Sequence, residues 1–245
     1  MKTVLVTGGS KGIGLESVLR YTELGYRVVT CSRNESVWIN VIEKFPQLKS
    51  VDYQVVDISN DTSLEEFFLY IKSQYKYLDI AINNASPALE SRGDFCQVDT
   101  ALLEATFRED FWAHAHCIKH ELNLMKEGST IINISSINGL RPTPNAAMYS
   151  AAKHALEGLT RSVALESIKS GIRVNAVAPG VTWTPRWEEQ QVESPNIREY
   201  VSDAVPIKRF AKVNEIVDAI EFLSSDKASY IVGHTLVVDG GISLA

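Results

Sequence analysis

Seven short runs rich in valine and isoleucine recur along this chain of 245 residues, and they constrain its fold more than any other feature. Each run is apolar on both faces, which is typical of a parallel β-strand covered by helices on both sides. Longer segments with helical spacing separate the runs, as at 15–24 and 150–167. The alternation predicts an α/β fold, a doubly wound parallel sheet of about seven strands with helices on both faces. The runs are TVLVT (3–7), RVVTC (27–31), YQVVD (53–57), LDIAIN (78–83), TIINIS (130–135), RVNAVAP (173–179) and TLVVDG (235–240).

No linker, repeat or low-complexity segment divides the chain, so we predict a single domain over 1–245. The stretch 184–205 is the exception to the regular alternation, because its prolines, glutamines and glutamates show little strand pattern. A long insertion of this kind often covers a site, and we predict a substrate lid at 184–205.

Composition excludes several classes of partner. The formal net charge of -6 argues against duplex nucleic acid, and no apolar run approaches the roughly 18 residues of a membrane span. No signal peptide is visible, and three cysteines without paired spacing fit a reduced, cytoplasmic setting. His116 and His120 are spaced i, i+4, but no second ligand set accompanies them, so we predict no metal site.

The glycine-rich stretch TGGSKGIG (7–14) joins the first run to the first predicted helix. Gly8 would permit a sharp turn, Gly12 would let the backbone approach a phosphate, and Gly14 would let the helix pack on the strand. The helix N-terminus would attract an anion, so the stretch predicts a dinucleotide site. A plain strand-to-helix turn is the alternative, because the spacing is not the commoner G-x-G-x-x-G.

A second group predicts the chemistry. Tyr149 and Lys153 are spaced i, i+4 and share one face of a helix, and Ser136 precedes them by one loop. A free tyrosine has a pKa near 10, and a nearby ammonium favours its phenolate. A serine hydroxyl can hold a substrate oxygen beside the phenol, so the three residues suit proton transfer for a carbonyl/alcohol pair. A chance pair on an exposed helix face is the alternative.

Taken in order, these motifs resemble the single-domain type of the short-chain dehydrogenase/reductase family, from Lys2 to about Gly241. The segments VVDI with Asp57, NNAS (83–86), RVNAVAPG (173–180) and VDGG (238–241) add to the likeness. The resemblance implies a Rossmann-like fold, with Tyr149 as acid/base, Ser136 orienting the substrate carbonyl, and Lys153 binding the nicotinamide ribose. The cofactor-binding residues that it implies are Gly8, Ser10, Lys11, Gly12, Ile13, Gly14, Ser32, Arg33, Asp57, Ile58, Asn84, Ala85, Tyr149, Lys153, Pro179, Gly180, Thr182 and Thr184.

Two residues depart from the family pattern. Ser86 replaces the last glycine of the NNAG turn, and we expect the turn to tolerate serine. Asp110 stands where the family commonly places a relay asparagine, and we include it among the catalytic residues. We expect Asp110 to be ionised and close to Lys153 through one water, which would weaken the pull of Lys153 on Tyr149 and move the activity optimum to higher pH. A protonated Asp110, or one that only bonds backbone groups, stays open.

The end of the second strand predicts the cofactor. NAD-preferring relatives carry an acidic residue there, but this chain has Ser32, followed by Arg33. Arg33 and Lys11 could converge on a 2′-phosphate, so we predict NADP(H). The alternative is that both are ordinary surface charges.

We therefore predict an NADP-dependent enzyme that acts on a small-molecule carbonyl or alcohol substrate. A 3-oxoacyl thioester reductase and a cofactor-binding regulator with little turnover are the alternatives. Relatives imply a homotetramer built on 149–167, 101–126 and 214–240, in which Phe107, Phe111, Trp112 and Ile118 would bury in a partner. We expect Arg141 to be an exposed loop residue, and Trp183 and Trp187 either to line a pocket or to pack the lid down.

Overall fold

The computed structural model describes every residue from Met1 to Ala245, and seven parallel strands form one sheet. The strand order is β3-β2-β1-β4-β5-β6-β7. The order reverses between β1 and β4, where a doubly wound sheet opens a crevice at its carboxyl edge. The prediction of a doubly wound parallel sheet is confirmed. The strands are β1 (Thr3–Thr7), β2 (Arg27–Ser32), β3 (Asp52–Val55), β4 (Leu78–Asn83), β5 (Met125–Ile134), β6 (Arg173–Pro179) and β7 (Thr235–Val238).

Nine α-helices surround the sheet, and one turn of π-helix at Arg108–Trp112 joins two of them. None of the helices combines the length and the apolar character that a membrane crossing requires. The helices are α1 (Gly12–Glu23), α2 (Glu35–Lys44), α3 (Asp61–Gln74), α4 (Thr100–Phe107), α5 (Ala113–Leu122), α6 (Ala147–Ser167), α7 (Pro185–Glu193), α8 (Ile197–Ala204) and α9 (Val213–Ser224).

Two hydrophobic cores lie on the two faces of the sheet, which explains why the strands are apolar on both sides. On one face, α3, α5 and α6 cover the strands with residues such as Phe67, Cys117 and Leu156. On the other face, α1, α2 and α9 contribute residues such as Tyr21 and Ile220. A strand side chain that points either way is therefore buried, and the apolar run stabilises both layers.

Three strand ends differ from the predicted runs by two or more residues. β5 begins at Met125, five residues before the predicted run at 130–135. The prediction missed these residues because Lys126, Glu127 and Gly128 carry no apolar pattern. Its pairing with β4 shifts register between Leu78 and Ile80. β3 ends at Val55 and β7 at Val238, so the residues that follow them form loops at the carboxyl edge.

The segment 184–205, which we predict to be a lid, contains α7 and α8, and neither helix has a fully buried residue. Pro185 occupies the first position of α7, where its missing N–H costs no hydrogen bond. Trp183 and Trp187 both pack edge-on against Phe210, at 5.1 and 5.0 Å between ring centroids. The two tryptophans therefore fasten the start of this segment to the rest of the molecule.

Candidate active site

A cleft of about 770 Å³ lies at the carboxyl edge of the sheet. Eighteen of the predicted site residues line it, and Gly14 and Asp110 do not. The lining residues also include Trp187. The predicted residues in the wall are Gly8, Ser10, Lys11, Gly12, Ile13, Ser32, Arg33, Asp57, Ile58, Asn84, Ala85, Ser136, Tyr149, Lys153, Pro179, Gly180, Thr182 and Thr184.

The glycine turn forms part of the cleft wall. Gly8 and Gly12 have φ angles of 72° and 54°, in the left-handed region that favours glycine. Gly12 also begins α1, whose N-cap, Lys11, provides no side-chain hydrogen bond and whose first turn has no acidic residue. The backbone N–H groups of this turn therefore lack side-chain acceptors, which fits the phosphates of a dinucleotide.

Gly14 lies behind the turn and does not line the cleft, and its prediction as a cofactor-binding residue stays a prediction. A Cβ at this position would lie 2.2 Å from the Gly8 carbonyl oxygen and 2.5 Å from Asn84 Nδ2. Gly14 is required because α1 packs closely against the end of β1 and the loop after β4. Gly14 therefore shapes the site through its packing.

The loop after β4 is tied to the glycine turn by Thr7 and Asn84. Asn84 Nδ2 donates to the carbonyls of Thr7 and Gly8, at 3.0 and 3.2 Å. The backbone N–H groups of Asn84 and Ala85 donate to Thr7 Oγ1 at 3.0 and 3.1 Å. Sequence reasoning missed this role of Thr7, although it opens the glycine stretch.

Ser136, Tyr149 and Lys153 line the same cleft. Ser136 follows β5 and caps a short 3-10 turn, because its Oγ accepts from the Asn138 N–H at 3.1 Å. Tyr149 and Lys153 lie on the first turns of α6, and Lys153 Nζ is 5.6 Å from the centroid of the Tyr149 ring. Ser150 fixes the helix to the turn by donating to the Asn138 carbonyl at 2.8 Å.

Lys153 and Asp110 form a direct, buried ion pair, with Nζ and Oδ1 separated by 3.4 Å. This contact corrects the expectation of a bridging water. Asp110 lies in the π-helical turn and does not line the cleft itself, so its prediction as a catalytic residue stays a prediction. Lys153 Nζ also donates to the Ile134 carbonyl at 3.3 Å.

Ser86, which the sequence marked as a departure from the family pattern, lines the cleft. Its Oγ donates to Asp110 Oδ1 at 2.7 Å. Among non-glycine residues only Asn145 and Lys208 have a positive φ, so Ser86 is unstrained where the family pattern has glycine. The two departures from the family pattern, Ser86 and Asp110, are thus in contact with each other.

His114 is a second residue that sequence reasoning missed. It is fully buried on α5, and its Nε2 is 2.8 Å from the Ala85 carbonyl oxygen, to which it donates as a neutral imidazole. Burial, assisted by the positive charge of Lys153, lowers the pKa of His114 to about 3. The sequence signal that could have identified His114 was its position four residues after Asp110, which places both side chains on one face of a helix.

The two cations predicted to meet a 2′-phosphate lie at the cleft and face carboxylates. Arg33 Nη1 is 3.6 Å from Glu109 Oε1, and Lys11 Nζ is 3.9 Å from Glu189 Oε1. Ser32 ends β2 and its Oγ is 2.9 Å from the Tyr53 hydroxyl, so no carboxylate occupies the strand end. Partial burial raises the pKa of Glu109, and the charge of Arg33 opposes that rise.

Arg186, on α7, connects the predicted lid to the loop after β4. Its Nη2 donates to the Ser86 carbonyl at 3.2 Å and also to the Pro87 carbonyl. Arg186 lines the cleft, and sequence reasoning did not identify it. Arg141 is not a free surface residue as expected, because its Nη1 donates to the Ile242 carbonyl at 2.9 Å.

The two histidines considered as metal ligands have other neighbours. His116 Nδ1 is 3.2 Å from Asp61 Oδ1, and the His120 ring stacks on Phe68 at 4.9 Å between centroids. No group of three or more histidine, cysteine, aspartate or glutamate side chains is arranged to hold a metal ion.

Comparison with known proteins agrees with this geometry. A family model described as Enoyl-(Acyl carrier protein) reductase matches residues 8–243. Glucose 1-dehydrogenase of Gluconobacter oxydans (strain 621H) is 34% identical over 99% of this chain and 92% of its own length. L-xylulose reductase of Caenorhabditis elegans is 35% identical over 99% of this chain and 96% of its own. The solved structure of ElxO with NADP bound has a TM-score of 0.93 at 29% identity, over 100% of this chain and 99% of that chain.

Proposed function

The chain belongs to the short-chain dehydrogenase/reductase family and is an oxidoreductase, and on that premise we propose that it transfers a hydride between NADP(H) and the carbonyl or alcohol group of a small molecule. The observation that carries the proposal is one cleft lined by two different groups. An uncapped helix N-terminus is one group, and Ser136, Tyr149 and Lys153 are the other. The first suits phosphates, and the second suits proton transfer.

In this mechanism, the substrate oxygen accepts a hydrogen bond from Ser136 Oγ and lies beside the Tyr149 hydroxyl. Tyr149 donates its proton to that oxygen during reduction and takes the proton back during alcohol oxidation. The Lys153 ammonium stabilises the phenolate that forms and donates to the ribose of the dinucleotide. When bound, the nicotinamide supplies or accepts the hydride. Ser10, Ile13, Asn84 and Thr184 would help to hold the dinucleotide along the cleft.

The choice of NADP(H) is supported by charge at the adenosine end. Ser32 presents no carboxylate to the ribose, and Arg33 and Lys11 are available to a 2′-phosphate. We expect kcat/KM to be higher for NADPH than for NADH. Ser32→Asp should move the preference toward NADH, because a carboxylate repels the phosphate and accepts from the ribose hydroxyls. Equal kcat/KM for the two cofactors would contradict this choice.

A substrate screen tests the reaction itself. NADPH consumption would be followed with small ketones, diketones and ketoses, and NADP+ reduction with the matching alcohols and sugars, because the named relatives include sugar enzymes. Tyr149→Phe should abolish turnover and still bind NADPH in a fluorescence titration. Turnover that survives in Tyr149→Phe would refute the assigned proton donor. A wild-type protein that binds NADPH but turns over no substrate would favour the regulator.

A second candidate is reduction of a 3-oxoacyl thioester. The description of the matched family model, which names an acyl carrier protein reductase, is the observation that favours it. We would assay acyl-carrier and acyl-pantetheine thioesters beside the small ketones. A kcat/KM that is higher for the thioesters would select this candidate.

We also propose a cytoplasmic homotetramer. Its support is exposed apolar surface: Trp112 is 47% exposed, and Leu165, on α6, is 70% exposed. Ile118 does not contribute as expected, because it is buried in the chain's own core. The three cysteines are free thiols, which suits a reduced compartment. Light scattering that gives a mass near the 27.2 kDa of one chain would contradict the oligomer.

A further inference from the structure

The Ser86 hydroxyl is connected to the Lys153 ammonium through a single carboxylate oxygen. Asp110 Oδ1 accepts from Ser86 Oγ at 2.7 Å and lies 3.4 Å from Lys153 Nζ. The side chains of Lys153 and Asp110 are only 2% and 3% exposed. Water therefore screens this contact poorly, and a small change in the charge on that oxygen is felt strongly at the ammonium.

We propose that Ser86 is a positioning residue for the oxidoreductase reaction, which acts through Asp110 by fixing its carboxylate and by moderating the hold of that carboxylate on Lys153. The proposal rests on the proposed function, because it treats Tyr149 as the proton donor and acceptor. A carboxylate oxygen that already accepts a hydrogen bond attracts a neighbouring ammonium less strongly than a free one. With Ser86 in place, the Asp110 carboxylate therefore offsets less of the positive charge of Lys153, and that charge stabilises the Tyr149 phenolate more strongly.

The backbone around Ser86 is held on both sides, so its hydroxyl has a defined direction. His114 Nε2 donates to the preceding carbonyl, that of Ala85, at 2.8 Å. Arg186 Nη2 donates to the carbonyl of Ser86 itself at 3.2 Å. Asp110 and His114 are four residues apart and fasten adjacent residues of the same loop. A serine held in this way can orient a carboxylate, which a freely rotating surface serine cannot.

Three other titratable side chains face the Lys153–Asp110 pair, and their effects on the pH profile can be distinguished from the effect of Asp110. Tyr149 comes from α6, Glu109 from the π-helical turn and His114 from α5. His114 stays neutral over the working range, because its pKa is lowered to about 3. Glu109 pairs with Arg33 at the cleft, so it carries a comparable charge beside Asp110 without contacting Lys153.

The test is the pH dependence of kcat/KM for alcohol oxidation, the direction in which Tyr149 must accept a proton. The profile is recorded at saturating cofactor from about pH 5 to 10, and its acidic limb reports the ionisation of Tyr149. Asp110→Asn should move the acidic limb to lower pH by roughly half to one unit, because Lys153 is no longer neutralised. Ser86→Ala should move the limb the opposite way by a smaller amount. Ser86→Thr should restore the wild-type limb, and Ser86→Ala should have no effect in the Asp110→Asn background.

A limb that does not move in Ser86→Ala, or that moves equally with and without Asp110, would overturn the proposal. Glu109→Gln is the matched control, and a limb shifted as far by Glu109→Gln as by Asp110→Asn would also overturn it. Urea unfolding of the same single and double variants gives a readout that needs no turnover. Non-additive changes are expected for contacting side chains, and additive ones would refute the contact. Absence of turnover in the wild type would refute the proposed function alone.

Discussion

Two buried carboxyl groups on one helical run differ in how their burial is compensated. Asp110, in the π-helical turn, contacts the ammonium of Lys153 and the hydroxyl of Ser86. Glu121, near the end of α5, has no cation within reach: its Oε2 accepts from Asn83 Nδ2 at 3.0 Å and its Oε1 has no partner. Burial raises the pKa of Glu121 to about 8.

Burial alone therefore does not dictate whether an acid is charged. A buried carboxyl group either keeps its charge beside a counter-charge or takes up a proton. Asp110 contacts Lys153, which lines the cleft, so a counter-charge lies beside its carboxylate. Glu121 belongs to a polar chain under the strand ends, in which Asn83 also donates to Asn133 and Asn133 donates to Thr160. A neutral acid suits that chain, because no cation is present there.

Removing the Lys153 ammonium should leave Asp110 in the situation of Glu121, as a buried acid without a counter-charge. Lys153→Met leaves Asp110 buried without its partner, and we expect a loss of about 3–5 kcal/mol in the free energy of unfolding at neutral pH. It should also lower kcat/KM by at least about 10²-fold, since the phenolate loses its ammonium. Urea unfolding and steady-state kinetics measure the two effects.

The double variant Lys153→Met, Asp110→Asn is the control for this prediction. It removes both charges, so it should regain much of the lost stability without regaining activity. A Lys153→Met protein as stable as the wild type would mean that Asp110 had already been neutral, and the contrast with Glu121 would fail.

Glu121→Gln tests the unpaired acid. The folded pKa of about 8 lies above the value near 4.3 of an unfolded glutamate. Between these values the folded state keeps a proton that the unfolded state has released, so wild-type stability falls as pH rises through this window. Glutamine mimics the protonated acid, so the advantage of Glu121→Gln should be near zero below about pH 4 and should then grow by up to about 1.4 kcal/mol per pH unit toward pH 8.

Equilibrium unfolding at several pH values measures this advantage. Glu104, exposed on α4, offers a matched control, and Glu104→Gln should follow the wild type at every pH. A difference between Glu121→Gln and the wild type that is independent of pH would show that Glu121 is charged in the folded protein.

The fold was predictable because a strand buried on both faces leaves its pattern in its own few residues. The start of β5 was not predictable, because the strand begins with a polar stretch that includes Lys126 and Glu127. In the site, Tyr149 and Lys153 were predictable from their spacing on one helix. Local spacing could not predict that Arg186 reaches Ser86, which is 100 residues away in the chain.

The placement of Asp110 and Glu121 shows the same limit in another form. A helical pattern with 3.6 residues per turn does not anticipate the π-helical turn that carries Asp110. Nor does sequence reveal that Glu121 is fully buried, because its neighbours on α5 include polar residues. Both facts depend on which elements pack together, and those contacts join distant parts of the chain.

The smallest expected effect concerns a third acid, Glu109, at the solvent-exposed rim. Arg33 and Glu109 have side chains 56% and 27% exposed and lie 3.6 Å apart, so water screens the pair. Glu109→Gln should change stability by less than about 0.5 kcal/mol. It should nevertheless tighten NADPH binding by about twofold to fivefold and leave NADH binding nearly unchanged, because Arg33 is released toward the 2′-phosphate. Fluorescence titrations of both cofactors at one ionic strength measure this difference, and Arg33→Met should abolish it. Equal tightening for NADH would mean that Glu109 repels the shared pyrophosphate, and that its contact with Arg33 has no part in cofactor choice.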